Sequence, residues 1–147
     1  MRFGARSHFN QTDERLLEGL IAEIEGRTSA EIRIHVERRC RGNQLDRAAE
    51  CFEALRMHET DARNGVLLYL AIHDRKFAVI GDVGIHQVVD QPFWDATYEA
   101  ASPWFKSDAW VVGLKAALEA IGKALEVHFP RSNEDVNELS DTISWGW

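Results

Sequence analysis

The stretch GVLLYLAIHDRKFAVIGDVGI, residues 65–85, decides the fold. Its first part, GVLLYLAI (65–72), is continuously apolar and rich in β formers, which predicts a central strand covered on both faces. The polar residues HDR (73–75) predict a turn, and KFAVIGD (76–82) predicts a second strand. We therefore expect the two strands to form a β-hairpin.

A third strand and a connecting helix precede the hairpin. The segment EIRIHVE (31–37) alternates apolar and polar residues, which predicts a strand with one partly solvated face. The segment LDRAAECFEALRM (45–57) returns to helical spacing. A strand–helix–strand connection makes the first two strands parallel, whereas the hairpin makes the third antiparallel to the second.

Helical patterns lie on either side of these strands. The first helix is expected to start at Asn10 or Thr12 and to end at Gly26. After the hairpin, a helix starting at Pro92 is expected to break near Pro103. A long helix follows, with Asp108 as its expected N-cap. The order α-β-α-β-β-α-α predicts an α/β fold, a three-layer Rossmann-like sandwich whose mixed sheet has helices on both faces.

The length of 147 residues suits one domain, which we assign to residues 1–130. Residues 131–147 form an acidic tail, expected either to be a flexible arm or to pack as a strap. Trp145 and Trp147 near the chain end either bind a partner or take part in that packing.

Composition excludes several classes of protein. The net charge of −7 argues against nucleic-acid binding and against docking on anionic lipid, and the arginines are spread between acids along the chain. No apolar run approaches the ~20 residues of a membrane helix, so no membrane insertion is expected. A cytoplasmic monomer is the expectation, with Cys40 and Cys51 as buried free thiols.

The predicted topology brings polar residues to one end of the sheet. The starts of the first two strands and the end of the third should meet there. We call this end the rim; its expected residues are Thr28, Ser29, Glu31, Thr60, Asp61, Arg63, Asn64 and Asp82.

The rim is rich in hard oxygen ligands, which suit Ca²⁺ or Mg²⁺ better than Zn²⁺. Simpler roles are also open: Asp82 can cap the following helix, and Arg63 can be a surface charge. The six histidines form no HxxxH, HExxH or His-plus-Cys motif, so a transition-metal site is not expected.

Several motifs, in order, resemble the TPM domain family. They are TSAEIRIHV (28–36), FEALRMHETDARNGVLL (52–68), DRKFAVIGDVGI (74–85) and FKSDAWVVGLKAALEAIG (105–122), and the resemblance covers residues 12–130. Where many members have Gly-Asp before the last helix, this chain has Ser107-Asp108.

The resemblance implies a set of metal ligands and two hypotheses about function. The positions that match the family's motifs are Glu31, Asn64, Asp82 and Asp108. The first hypothesis is a binding or accessory domain that holds a divalent cation, Ca²⁺ before Mg²⁺, with a possible protein partner. The alternative, implied by the family's phosphatase label, is a weak metal-assisted phosphatase. In it, Asp82 and Asp108 would hold the metal and Arg63 would clamp the phosphate.

Overall fold

A computed structural model describes residues 4–132 and 138–146. The helices are α1 (Gln11–Glu25), α2 (Gln44–Ala54), α3 (Val83–His86), α4 (Gln91–Lys106) and α5 (Trp110–His128), with short 3-10 turns at Ala5–His8 and Met57–Glu59. The strands are β1 (Glu31–Glu37), β2 (Gly65–Ala71), β3 (Lys76–Gly81) and β4 (Ser144–Trp145). Within these described ranges, no helix combines the length and the apolar character needed to cross a bilayer.

The strands form one mixed sheet in the order β3-β2-β1-β4. β1 and β2 are parallel, and β2 and β3 are antiparallel, which confirms the predicted crossover and hairpin. Glu31 pairs with Gly65, and Val66 pairs with Gly81. The starts of β1 and β2 therefore meet the end of β3. β4, from the tail, adds a parallel edge to β1 that the sequence did not predict, because two residues carry no periodic signal.

Two hydrophobic cores cover the two faces of the sheet. Alternate residues of β1 and β2, such as Ile34 and Leu68, pack with buried residues of α1, α4 and α5. The opposite face of β2, including Leu67 and Tyr69, packs with α2. The three-layer α/β sandwich is thereby confirmed.

The polar face of β1 is more buried than predicted. Glu31, His35 and Glu37 are each at most 8% exposed. Other polar groups cover these side chains. A backbone N–H of the tail donates to the Glu31 carboxylate, and the Ser144 hydroxyl contacts the His35 ring. The Arg47 guanidinium of α2 donates to the Glu37 carboxylate. Alternation in the sequence identifies the polar face, but it does not show that other polar groups cover that face.

Two predicted helix boundaries are wrong. α4 continues through Pro103 to Lys106. Proline has no N–H, so the helix loses one hydrogen bond there, but its packing along α5 outweighs that loss. Asp108 does not cap α5: Ala109 is the N-cap residue, and Asp108 has a left-handed backbone with φ 61°. The start of α1 is as predicted, since Asn10 caps it in a capping box with Asp13.

The described part of the tail, 138–146, lies along β1. The N–H of Gly146 donates to the Val36 carbonyl over 2.8 Å, and the ring of Trp145 packs edge-on against Phe9 with centroids 5.2 Å apart. This part of the tail is a strap. Trp147 lies outside the described residues.

At the rim, the backbone of residue 84 lies so close to the backbone of Ala62 and Arg63 that only glycine fits there. Its N–H donates to the Arg63 carbonyl over 2.8 Å, and a Cβ built there would lie 2.4 Å from the Ala62 carbonyl oxygen. We expect Gly84→Ala to destabilise the fold by about 1–3 kcal/mol, as overpacking does, measured as a lower midpoint in urea unfolding.

A matched glycine gives the control. Gly19 lies inside α1, and a Cβ there meets nothing within 4 Å. Gly19→Ala should stabilise by about 0.4–1 kcal/mol through the unfolded chain and helix propensity. If Gly84→Ala had the same sign as Gly19→Ala, the close approach would be refuted.

Candidate functional site

The structure brings three of the four predicted ligand residues to the rim. The N–H of Glu31 donates to the Asn64 carbonyl over 3.3 Å, and the N–H of Asp82 donates to the Gly65 carbonyl over 2.9 Å. Glu31, Asn64 and Asp82 are each at most 5% exposed. The Asn64 side-chain amide donates to the Ser29 carbonyl over 2.9 Å, so it ties the start of β1 to the start of β2.

The Asp82 carboxylate is already engaged within the protein. Arg63 binds it through two hydrogen bonds of 2.7 and 2.8 Å, and the Val83 N–H donates to it over 2.7 Å. The Asp82 side chain is 4% exposed, whereas that of Arg63 is 47% exposed. Asp82 therefore acts as a helix N-cap and as the counter-charge of Arg63. A cation on Asp82 would have to displace that guanidinium.

Asp108 lies at the other end of the sheet. Its carboxylate receives hydrogen bonds of 2.8 and 3.1 Å from Arg75, in the turn between β2 and β3. The Arg75 guanidinium lowers the pKa of the Asp108 carboxyl. The full length of β3 separates this pair from Asp82, so the two aspartates do not meet in one site.

A second group of carboxylates lies at the start of β1. We call Glu25, Glu31 and Asp141 the carboxylate cluster. Glu25 is fully buried at the end of α1, and one of its oxygens accepts from the Ile32 N–H over 2.7 Å. Its other oxygen, Oε1, and Asp141 Oδ1 are both buried, and neither accepts from an N–H or hydroxyl group of the described residues.

The electrostatics of the cluster favour a bound positive charge. Burial raises the pKa of Glu25 to about 9, helped by a hydrogen bond shared with the Asp141 carboxyl. Burial also raises the pKa of Glu31, against the lowering effect of the N–H groups of Leu139 and Glu138. Carboxyl groups that face each other need a proton or a cation between them.

The tail completes this part of the rim. The N–H of Leu139 donates to Glu31 Oε1 over 2.6 Å, and the N–H of Glu138 donates to the same oxygen. The Glu138 carboxylate in turn accepts from the Asp61 N–H over 3.4 Å. The tail thus links the cluster to the loop before β2 and brings a further acid beside it.

Sequence reasoning found Glu31 but missed Glu25 and Asp141. A signal for Glu25 was present: it follows Leu17 and Ile21 at a spacing of four residues, on the apolar stripe of α1. An acid on a buried stripe indicates a satisfied or functional group. No local pattern shows that Asp141 returns to β1, because that contact spans 116 positions from Glu25 (141 − 25).

A second polar group, which the sequence did not predict, is buried between β1 and α2. Ligand atoms of His35, Glu37 and Cys51 lie within 4.8 Å of one another. The Glu37 carboxylate, however, binds Arg47 over 2.8 and 2.8 Å, His35 over 3.1 Å and the Tyr69 hydroxyl.

These contacts decide the protonation of the group. Burial alone would raise the pKa of Glu37, but the hydrogen bonds from Arg47, His35 and Tyr69 outweigh it and hold the pKa well below its usual range. Burial raises the pKa of the Cys51 thiol to about 11, so the thiol stays protonated. This group is a satisfied structural network around Glu37.

Comparisons with known proteins agree with the fold. The sequence pattern of the TPM domain matches residues 6–124. The structure is similar to that of BA42 protein from the psychrophilic bacterium Bizionia argentinensis, with a TM-score of 0.88, 38% identity, and coverage of 94% of this chain and 95% of that one. A search of curated proteins finds no match.

Two more distant structures share the fold. One is the N-terminal domain of cg2496 protein from Corynebacterium glutamicum, with a TM-score of 0.65, 15% identity, and coverage of 81% of this chain and 75% of that one. The other is the N-terminal domain of a protein from P. gingivalis, with a TM-score of 0.70, 15% identity, and coverage of 86% and 83%. The family pattern covers most of the sequence, and a relative 38% identical spans nearly all of it. The chain belongs to the TPM domain family.

Proposed function

We propose that this TPM domain is a binding domain that holds a divalent cation, Ca²⁺ in preference to Mg²⁺, in the carboxylate cluster. Glu25 and Asp141, which share a hydrogen bond, are the proposed first ligands. Glu31 would complete the site by moving towards them, since the carboxylate oxygens of the three residues do not all lie within 4.8 Å of one another. Because Asp141 belongs to the tail, the cation would fasten the strap to the start of β1.

One observation carries this proposal. Among the described residues, no N–H or hydroxyl group donates to the buried oxygens Glu25 Oε1 and Asp141 Oδ1, and the nearby Glu31 carboxylate adds to the raised pKa of Glu25. Without an ion, the Glu25 and Asp141 carboxyls share a proton. A divalent cation would replace that proton and bind several carboxylate oxygens at once.

The donor set fits the ion. Ca²⁺ takes six to eight oxygens in a flexible geometry, and carboxylates bind it through one or both oxygens. Three carboxylates supply enough negative charge for the ion, and no thiol or imidazole is among them. Mg²⁺ demands a stricter octahedral arrangement, so it ranks second.

The other predicted ligands take different parts in this proposal. Asn64 positions Glu31 by joining the starts of β1 and β2. Asp82 stays paired with Arg63. The phosphatase alternative needs Asp82 and Asp108 on one metal, and their placement at opposite ends of the sheet does not support it.

The proposal includes a role as a monomeric accessory domain in the cytoplasm that contacts a protein partner. The two free cysteines are consistent with a reducing compartment. A cation-dependent strap would give such a domain a surface that changes with cation concentration.

Calorimetric titration with Ca²⁺ and with Mg²⁺, starting from protein treated with EDTA, tests the proposal. Backbone amide NMR shifts should locate the ion, with the largest changes at Glu31, Ile32 and 138–143. Shifts centred instead on Arg63 and Asp82, or no saturable heat, would contradict it.

The cluster also predicts how stability depends on pH without cation. The pKa of Glu25 is raised from 4.5 to about 9, so the folded protein binds more protons than the unfolded chain between these values. Stability from this group is full below about pH 4.5 and falls as pH rises towards about 9. Urea unfolding in EDTA at several pH values should show this decline.

Two comparisons test the assignment. Glu25→Gln should flatten the decline, because the glutamine amide does not titrate. Saturating Ca²⁺ should stabilise the wild-type protein more at high pH than at low pH, since the ion competes with the proton. An unchanged pH dependence in Glu25→Gln would assign the titration to another group.

A further inference from the structure

Four arginines surround a cleft at the end of the sheet opposite the rim. The cleft follows β1 directly, has a volume of about 400 Å³, and is lined by Glu37, Arg38, Arg39, Cys40, Arg41 and Arg47. We call it the arginine cleft. It lies at the carboxyl end of a parallel strand, where open α/β sheets commonly bind ligands. Its composition is unexpected in a chain with a net charge of −7.

Much of the positive charge around the cleft is not neutralised. Arg47 is paired with Glu37, but Arg39 contacts His73 Nε2 over 3.0 Å, a partner that carries no negative charge. Arg41 is exposed and makes no hydrogen bond or ion pair with any residue the structure describes.

The loop that carries these arginines is held in place. Lys76 Nζ donates to the carbonyls of Cys40 and Gly42 over 3.1 and 2.7 Å. Lys76 thus adds a third positive charge, and both of these acceptors are neutral. The Cys40 N–H donates to the Asp74 carboxylate over 2.7 Å, so one acid lies against the same loop. Among the described residues, Arg39, Arg41 and Lys76 have no acidic partner, and one acid, Asp74, contacts the loop, so the cleft is basic. The hydrogen bonds of Lys76 and Asp74 hold the loop in place before a ligand binds.

We propose that the arginine cleft binds the phosphate group of a small phosphorylated molecule. Arginine forks match phosphate oxygens through paired hydrogen bonds. The volume accommodates a phosphate with a small organic portion, within the range of ligand pockets. The carboxylate among the described lining residues, Glu37, is bound to Arg47, so the proposal is for recognition of the phosphate group.

This site is separate from the cation site, and its test is made without cation. Inorganic pyrophosphate is titrated into the wild-type protein at low salt in EDTA, by calorimetry and amide NMR. We expect saturable binding, shift changes concentrated at 38–47, and weaker binding as salt rises.

Two arginine variants make the result specific. Arg41→Gln should weaken binding by roughly tenfold or more, the effect of losing one charge-assisted contact. Arg15→Gln, at an exposed position of α1, removes the same charge and should change the affinity for pyrophosphate by less than about twofold. Both substitutions are at exposed positions, so both variants should fold.

The proposal is overturned if no saturable binding occurs or if the shifts lie outside residues 38–47. It is also overturned if Arg41→Gln and Arg15→Gln weaken binding equally, since that would reflect net charge alone.

Discussion

Replacing Glu31 by glutamine is expected to weaken Ca²⁺ binding by at least about tenfold to a hundredfold, the loss seen even for residues that only orient metal ligands. The amide oxygen of glutamine can still accept the N–H groups of Glu138 and Leu139 that Glu31 binds. The fold and the strap should therefore persist while one negative ligand is lost. Calorimetric titration with Ca²⁺ on the wild type and the variant measures the difference.

Asp108→Asn provides the control of equal charge change. Its carboxylate lies at the opposite end of the sheet and is exposed, so this variant should bind Ca²⁺ like the wild type. Asp82→Asn should also keep most of the affinity, because Arg63 already occupies that carboxylate. If Asp82→Asn abolished binding while Glu31→Gln left it intact, the ion would belong to the Asp82 side of the rim.

Glu37→Ala is expected to destabilise the protein by about 3–5 kcal/mol, the cost of breaking a buried charged pair. Removing this carboxylate leaves the buried Tyr69 hydroxyl, His35 and the Arg47 guanidinium without their shared acceptor. Arg47 is 41% exposed and can turn to solvent, which places the loss nearer the lower end of that range. Thermal unfolding should show a melting temperature lower by about 10 °C.

The matched substitution is Glu50→Ala in α2, the helix that also carries Arg47. Glu50 also contacts Arg47, over 3.3 Å, but its side chain is 68% exposed. Its loss should cost less than about 1 kcal/mol, as for other surface ion pairs. Equal destabilisation by the two substitutions would show that the Glu37 network contributes nothing beyond a surface contact.

Local patterns sufficed to predict three of the four strands of the sheet. Continuous apolarity in 65–72 and the polar turn after it predicted β2 and β3, and their pairing brought Asp82 next to Gly65. Parallel pairing of β1 then placed Glu31 beside Asn64. These placements depend only on strand order and direction, which the connections determine.

The remainder of the candidate site depends on contacts between distant parts of the chain. Asp141 reaches Glu25 only because the tail returns along β1, and the two-residue β4 has no periodicity to reveal that return. Asp108 adopts a left-handed backbone that directs its carboxylate to Arg75, whereas its position before a helix suggested a cap.

The charge of the arginine cleft also depends on contacts that the sequence does not reveal. The sequence shows a run of arginines at 38–41, but the net charge of −7 suggested no basic surface. In the fold, Glu37 turns inward to Arg47 and Tyr69, so its charge no longer offsets Arg39 and Arg41. Which charges cancel depends on which side chains meet in space.

A crystal structure of the protein grown with Ca²⁺ tests the central claim most directly. We expect an ion with carboxylate oxygens of Glu25, Glu31 and Asp141 about 2.3–2.6 Å away. An ion bound to Asp82 with Arg63 displaced, or no ion in the carboxylate cluster at saturating Ca²⁺, would contradict it.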